Sequence, residues 1–491
     1  MKQTQENKLG VYPIPKLLRS MALPLIVANV ITALYNIVDG IYVAHLSEVA
    51  LTATTLAFPA QLLMQSVAGG TSTGVNSLLS RRLGAGKRKE ADVVAAHGFL
   101  LAAISYLVFL VLGLVFSGTF IGAFSENTEL CTMGTQYLTI VLVGSIGSFL
   151  TYSMGGMLEA VGHAGLCMTM SAVGAVTNIV LDPILIFGKL GFPAMGISGA
   201  AIATVFSQIV SAVLGIIFNL FLNKDVSIPL KNFRFVKRDL EEIYKVGIPS
   251  ILMQSLGSIM NVGMNKILIA DSEAAVSVFG AYYKMQTFVF MLVFGVTQAQ
   301  SIIVGYNYGA QKPQRMRQVI KLALVSGIFI MFAGTAVVHL FPEKLLGLFS
   351  AGEDMMTIGA HALRVMTMPF CLSAICIILG DALTGMGIGY VSAINSFIRQ
   401  ILVLLPLAYL LMHTAGLYGI WYAFVISEFV SLMVTLISKL MPGCTTARLC
   451  RRRSCGGPTR QCLSTMIRSR SSRPMYTLLW TTASAMCPAS P

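Results

Sequence analysis

Four carboxylic acids fall inside long apolar runs of the sequence: Asp39, Asp182, Asp381 and Glu428. An uncompensated charge in hydrocarbon costs roughly 2.5–3.5 kcal/mol on insertion scales, so an acid there is either functional or paired. Asp39 stands in "LYNIVDGIYVAHL" and Asp182 in "TNIVLDPILIFG". Each lies some way short of the end of its run, about 8 Å at ~1.5 Å per helical residue. Asn36 comes three residues before Asp39 and Asn178 four before Asp182. These spacings put amide and acid on one helical face. Tyr35 joins the face of Asp39. Pro183 has no N–H and leaves the carbonyl of Ile179 without its helical partner, a place for a bend. Two segments thus offer matching polar stripes at matching depth. Burial favours the neutral form of a carboxylic acid, so Asp39 and Asp182 are candidate sites for exchanging a proton, with Na+ near the pair as the alternative. The plainer reading is a hydrogen-bonded structural cluster.

Arg399 and Glu428 both fall near the middle of their runs and can neutralise each other, the pattern of a structural ion pair. Asp381 is a candidate for the wall of a cavity that attracts cations. Other motifs carry less. "GAGK" and "GMGIGY" follow no strand and lack the G-K-[ST] of a phosphate loop. No H-E-x-x-H occurs, "ILGD" misses the G-x-G-D of intramembrane aspartyl proteases at Ile378, and "GISG" is no nucleophile elbow. The nine cysteines include no C-x-x-C pair, which argues against a zinc site. His45, His163 and His413 sit at loops, where solvated or packing roles suffice. No catalytic residue, metal or cofactor is assigned beyond a coupling H+ or Na+.

The elements that hold these acids follow from composition. The chain has 491 residues, 55% hydrophobic and 11% charged, with a mean hydropathy of +0.77. Soluble domains carry about a quarter charged residues, so this is a polytopic membrane protein. Apolar segments of spanning length fall at 21–44, 51–78, 93–118, 135–160, 167–187, 196–222, 247–270, 276–304, 319–341, 357–384, 391–412 and 416–440, which predicts twelve transmembrane helices. With the N-terminus in the cytoplasm, the inner flanks hold 28 of the 34 Lys and Arg, and the outer loops hold only Lys189 and Lys344. That asymmetry places both termini inside. The net charge of +14 owes much to eight arginines beyond residue 443 and does not call for nucleic acid. The tail 441–491 has no periodicity and reads as disordered, or as aberrant sequence.

The chain repeats itself. A shift of 225 residues places Pro24 on Pro249, Asn36 on Asn261, Ser47-Glu48 on Ser272-Glu273, Gln61 on Gln286, and "LGAGK" (Leu83–Lys87) on "YGAQK" (Tyr308–Lys312). Later the shift is 220, and "GISGAAIATVFS" matches "GLYGIWYAFVIS". The domains expected are a cytoplasmic N-terminus (1–20), a six-helix lobe (21–222), a cytoplasmic linker with a short amphipathic helix (223–246), a second six-helix lobe (247–440) and the tail. An even number of helices per lobe makes the repeat parallel, an arrangement found in transporters.

"YNIVDGIYVAHL", the paired loops "SRRLGAGKRKEAD" and "GYNYGAQKPQRMR", "TNIVLDPILIFG" and "GISGAAIAT" resemble the MATE (multidrug and toxic compound extrusion) family, in its bacterial and archaeal branches with acids in the N-terminal lobe. The resemblance spans residues 11–440. It implies an all-α fold of twelve helices in two pseudo-symmetric lobes around a central cavity, and efflux driven by a proton or sodium gradient. One departure is that "PSILMQSLGSIMNVGMN" lacks the helix-seven glutamate of some members. The expectation is a monomeric antiporter of the cytoplasmic membrane that exports amphipathic, cationic organic compounds. Alternatives are a flippase for lipid-linked saccharides and, from another class, a channel or intramembrane enzyme.

Overall fold

The structure, a computed structural model, describes residues 7–227, 235–270, 272–347 and 353–440. The regular elements among them are helices, which satisfy their backbone polar groups within one segment as hydrocarbon requires. The first half contains α1 (Lys8–Val11), α2 (Ile14–Leu46), α3 (Glu48–Gly84), α4 (Arg88–Gly122), α5 (Thr128–Val143), α6 (Ile146–Ala160), α7 (Ala164–Phe187) and α8 (Ile197–Ile217), the last continued by a π-helical turn, Phe218–Leu222. The second contains α9 (Lys237–Leu268), α10 (Glu273–Gly309), α11 (Pro313–Leu340), α12 (Pro342–Gly347), α13 (Glu353–Thr367), α14 (Phe370–Gly385) and α15 (Gly389–Phe397). A π-helical turn, Ile398–Leu404, then leads into α16 (Leu405–Ile420) and α17 (Tyr422–Leu440). The described residues as far as Thr435 form one compact unit. The tail from residue 441 and part of the expected linker, 228–234, lie outside the described residues.

All twelve apolar segments fall on helices. Among the described residues seven helices are long and apolar enough to span by themselves, and the bent pairs α5–α6 and α13–α14 make nine. α3, α9 and α17 take the remaining three segments. α3 and α9, which pack on each other across the halves, are more polar. On α4, Leu107, Val111, Leu114 and Val115 are more than half exposed, as are Val325, Phe329 and Phe332 on α11. Such stripes fit contact with lipid tails. One detail departs from the sequence expectation. The polar stretch after Val236 forms no separate amphipathic helix; it is the first part of α9, which runs unbroken through Pro249. Its apolar positions Ile243 and Val246 are fully buried, so the period continues into the span.

The repeat is written in the backbone. α3 and α10 each have 37 residues, and each is capped by a serine, Ser47 or Ser272, whose side chain accepts from the N–H three residues on. The bends of 43° and 42° fall at Gly144-Ser145 and Met368-Pro369. Left-handed backbone recurs at Gly86 and Gln311, at Gly162 and Gly387, and at Gly196 and Gly416. The first two pairs are separated by 225 residues and the third by 220, so turn geometry follows the sequence shift.

The halves pack through a reciprocal set of glycines. A methyl group on Gly70 of α3 would collide with Ile251 of α9, and one on Gly295 of α10 with Ile26 of α2. A methyl on Gly84 would overlap the Tyr306 carbonyl oxygen, and one on Gly309 the Arg81 carbonyl oxygen. Every residue in each contact maps on its counterpart by the same shift of 225. Small residues are what allow such backbone approach where apolar packing supplies no extra drive in lipid. These contacts lie toward the ends of α3 and α10 that carry the basic loops, hereafter the basic end. Ser77 adds a hydrogen bond to the Thr384 carbonyl at 2.7 Å. One apolar cluster joins both halves, with Leu17, Leu79 and Val94 beside Ile303, Val319 and Ile378. A second, with Val43, Ala53, Tyr137 and Ile186, belongs to the first half alone.

Gly84→Ala should therefore lower the thermal midpoint in detergent, at a cost of about 1–3 kcal/mol for overpacking. Gly165→Ala, at a site where the new methyl meets nothing within 4 Å, should leave it nearly unchanged. Equal melting of both variants would remove the close crossing from the account.

Candidate functional site

Asp182 and Asn178 are fully buried on α7, which packs along α2. They stand one turn apart, and Asn178 Nδ2 donates to Asp182 Oδ1 at 3.3 Å. α7 continues through Pro183 to Phe187, so the proline lies inside the helix beside the acid. Asp39 is half-buried on α2 and close enough to Asp182 for the two charges to act on each other. Tyr35 is half-buried one turn earlier, within range of Asp39 and of Tyr152 on α6. Asn36 is exposed and contributes no hydrogen bond to the acids.

The acids and their amide are short of donors. Asp39 Oδ1, Asp182 Oδ2 and Asn178 Oδ1 are buried and have no hydrogen-bond partner among the described residues. Among those residues, no cationic side chain forms an ion pair with either acid. Ionised carboxylates only accept hydrogen bonds, and a buried acceptor left unmatched costs about 1–3 kcal/mol. A proton on a carboxyl oxygen would turn an acceptor into a donor. A small hard cation would serve the same oxygens, which are ligands of the right kind. Among the described residues no group of three or more His, Cys, Asp or Glu could hold a metal ion.

In the second half Arg399 and Glu428 meet, Nη1 2.8 Å from Oε1, with both side chains largely buried. Arg399 projects from the π-helical turn, a geometry often found where a side chain must be aimed. Tyr282, buried on α10, lies within range of both charges. Asp381 is elsewhere, half-buried on α14 and within reach of the Thr297 hydroxyl. The halves are thus alike in frame and unlike in charge. The first brings two acids together without a base; the second holds Glu428 with an arginine and keeps Asp381 apart from it.

Three polar residues of consequence escaped the sequence reading. Tyr137 of α5 is buried within range of Asp39 and Asp182, and its hydroxyl accepts from Gln61 Nε2 at 3.2 Å. Gln61 had a signal, since it recurs as Gln286. Glu159 is buried near the basic end, where Oε1 accepts from Cys167 Sγ at 3.2 Å and Oε2 from Gln298 Nε2 at 2.8 Å. It sits one residue from the end of its apolar run, beside a loop (161–166) with no Lys or Arg. An acid with no base near it at such a boundary was the available clue.

The profile of the MatE family matches residues 24–184 and 249–410, one match in each half. This chain belongs to the MATE family. The match covers both copies of the repeat. The multidrug export protein MepA of Staphylococcus aureus (strain MSSA476) is 23% identical over 429 residues, which is 87% of this chain and 94% of that protein. The FAD transporter of Shewanella oneidensis is 25% identical over 419 residues, 85% of this chain and 92% of that one. Among solved structures, a MOP superfamily transporter from Pyrococcus furiosus Vc1, whose binding pocket has reversed polarity, superposes with a TM-score of 0.84 at 26% identity. It covers 90% of this chain and 98% of its own. The outward-facing conformation of a multidrug resistance MATE transporter gives a TM-score of 0.83 at 27% identity, with the same coverage. The protein is accordingly a membrane transporter and not an enzyme, with the all-α, two-lobed fold of twelve transmembrane helices.

Removing one partner of a largely buried ion pair costs about 3–5 kcal/mol, whereas replacing both by apolar groups can be near neutral. Arg399→Ala should therefore destabilise the protein strongly in thermal unfolding. Arg399→Met combined with Glu428→Leu should recover most of that loss. If the double variant melts no higher than Arg399→Ala, the pair is more than structural.

Proposed function

We propose that the chain is a secondary active antiporter of the cytoplasmic membrane. It exports amphipathic, cationic organic compounds in exchange for H+, with Na+ as the alternative coupling ion. The observation that carries the reading is the donor-poor cluster of Asp39, Asp182 and Asn178. Two acids with buried unmatched oxygens and no base can hold a proton or a cation, and the two compete for the same negative charge. Tyr35, Tyr137 and Gln61 line the approach, Pro183 gives the helix a place to bend, and Asp381 draws cations from the second half. Arg399 and Glu428 serve as a structural pair. The lobes are residues 21–222 and 247–440, joined by 223–246 and flanked by 1–20 and 441–491, with both termini and the basic end in the cytoplasm. The positive-inside asymmetry supports that orientation. The protein acts as a monomer, since one chain carries both halves of the repeat.

Coupling follows from charge balance. With the acids neutral, the cluster can donate as well as accept hydrogen bonds and has little hold on a cation. With them ionised, it attracts a cation and repels itself. A carrier that changes access only with the acids neutral or occupied then exchanges one for the other. Such a population shift needs a ligand that binds the two states unequally, and a charge bound in only one of them meets that need. Similarity to the FAD transporter favours a second reading, export of an anionic nucleotide cofactor. The uncompensated acids count against it.

Dye efflux from membrane vesicles separates these readings. An imposed pH gradient should drive a cationic dye out of a host expressing the chain and should leave FAD unmoved. Efflux that follows only a sodium gradient would reassign the ion, and FAD movement alone would overturn the substrate class. Asp39→Asn should insert and fold, yet lose at least about tenfold in gradient-driven efflux, the equivalent of ~1.4 kcal/mol of coupling. Asp182→Asn should weaken transport in the same direction. If Asp39→Asn pumps normally under a pH gradient, the coupling site lies elsewhere, with Asp381 the next candidate.

A further inference from the structure

The short segment Asn7–Tyr12 is held by both halves. On one side Asn7 Nδ2 donates to Asp225 Oδ2 at 2.9 Å and to the Val161 carbonyl at 3.3 Å. Leu9 is fully buried and packs where a methyl on Gly162 would fall. On the other side the segment offers backbone. Helix α1 is a single turn that closes one backbone bond, from the Tyr12 N–H to the Lys8 carbonyl at 3.0 Å, and leaves the Leu9 and Gly10 carbonyls to other donors. Residues of the second half supply the donors. Asn307 Nδ2 donates to the Leu9 carbonyl at 3.2 Å, and Lys312 Nζ to the Gly10 carbonyl at 3.3 Å. Arg315 Nη2 donates to the Tyr12 carbonyl at 2.7 Å and to that of Leu9 at 3.3 Å.

These donors have counterparts. The shift of 225 carries Arg82 to Asn307, Lys87 to Lys312 and Glu90 to Arg315. Arg82 Nη1 meets Glu90 Oε2 at 2.6 Å, and Lys87 Nζ meets Glu90 Oε1 at 2.7 Å. Arg315 Nε donates to Asn307 Oδ1 at 3.1 Å. The same two positions are therefore bonded in each half, with the guanidinium moved to the other member of the pair. Each pair also reaches across to the start of the first long helix of the opposite half. Arg82 Nη2 grips Asp239 of α9 at 3.0 Å. Arg315 grips the segment that leads into α2.

We propose that these are two pseudo-symmetric latches that hold the basic end closed. Asn7–Tyr12 is the releasable strap of one of them, and inward opening requires its carbonyls to leave Arg315. Calling that end cytoplasmic rests on the function proposed above; the latch itself does not. The Arg82 latch joins side chains of fixed helices and breaks only when the helices part. The strap latch holds a single helical turn through its backbone carbonyls, which water can satisfy once the turn lifts away, so it is the one that lets go first. Hydrogen bonds from a charged donor are the stronger kind, and one guanidinium supplies two of those on the strap.

Hydrogen–deuterium exchange on the full chain in liposomes, without substrate, tests this. Arg315→Ala should speed amide exchange at least about tenfold in residues 8–14. It should speed exchange in the same way at the basic ends of α3 and α10 (78–87 and 303–312), and not at their opposite ends (48–57 and 273–282). Deletion of residues 1–12 should reproduce the change at α3 and α10, and Arg315→Ala added to the deletion should give no further change. Faster exchange confined to residues 8–14 would overturn the proposal, because the segment would then be only an anchored terminus. Faster exchange throughout the chain would also overturn it, as general destabilisation; Arg315→Lys, which keeps the charge but grips one carbonyl at a time, should fold and give an intermediate rate at 78–87 and 303–312. Dye efflux by the unaltered chain, measured separately, tells failure of the transport reading from failure of the latch.

Discussion

The whole arrangement hangs on the close approach of α3 and α10 at the basic end. Gly84 lies against the Tyr306 carbonyl and Gly309 against the Arg81 carbonyl, so each helix rests on the other's backbone. In lipid there is little hydrophobic gain from pressing two apolar helices together, because the tails are as apolar as the side chains. Association has to come from close packing and hydrogen bonds, and both are concentrated here. Gly70 and Gly295 extend the close packing along α9 and α2, and Ser77 and Gln298 add cross-half bonds at 2.7 and 2.8 Å. The acids Asp39 and Asp182 lie on α2 and α7, toward the other end, in a cluster that belongs to the first half. Contacts between the halves and the candidate coupling site are thus separated along the helices, and α2 takes part in both.

Much of this frame was legible in the sequence because the repeat was. A shift of 225 residues predicted equivalent loops, and the structure returns equivalent serine caps, equivalent left-handed residues and equivalent bends. Gln311 is instructive. It occupies the left-handed position that Gly86 fills in the first copy, so the turn is imposed by its surroundings even where the residue disfavours it. The acids were visible for another reason: a charge in an apolar run stands out by cost alone. Tyr137 and Gln61 were not, because tyrosine and glutamine are cheap enough near a membrane to have many explanations. Their meeting depends on how α3 and α5 pack, which no local period encodes. The same holds for the strap. Its bonds to the second half join residues some 300 apart in sequence, and half of each of those bonds is a backbone carbonyl with no letter of its own.

Duplication explains why the two halves match in shape, and the difference in charge explains what each copy can do. At the level of the acids the first half has carboxyl oxygens without donors. The second has Glu428 tied to Arg399 through one oxygen, its other oxygen without a partner among the described residues, Asp381 apart on α14, and no acid in α9 where α2 carries Asp39. A neutralised pair gains little from protonation, because its charge is already matched. An unmatched acid changes its whole hydrogen-bonding repertoire when it takes a proton. On the coupling proposed above, the first half carries the proton-sensitive pair and the second serves as the body it moves against.

That division sets the conditions under which a charge at one end can move contacts at the other. α2 begins at the strap and carries Asp39 near its far end, and it packs on α7 along the way. On the coupling proposed above, a change in how Asp39 and Asp182 bond would alter the fit of α2 against α7. α2 is one helix from Ile14 to Leu46, so on that proposal a tilt at the acids would reach the segment before Ile14, with Pro24 a place where part of it can be taken up as a bend. The glycine contacts leave no slack for a gradual slide, since any approach closer than the present one meets backbone. Interfaces packed in this way open or stay shut. Protonation therefore need not push the halves apart by itself. On the two proposals above it would have only to change the tilt of α2 enough that the carbonyls of Leu9, Gly10 and Tyr12 are better served by water than by Arg315 and its neighbours.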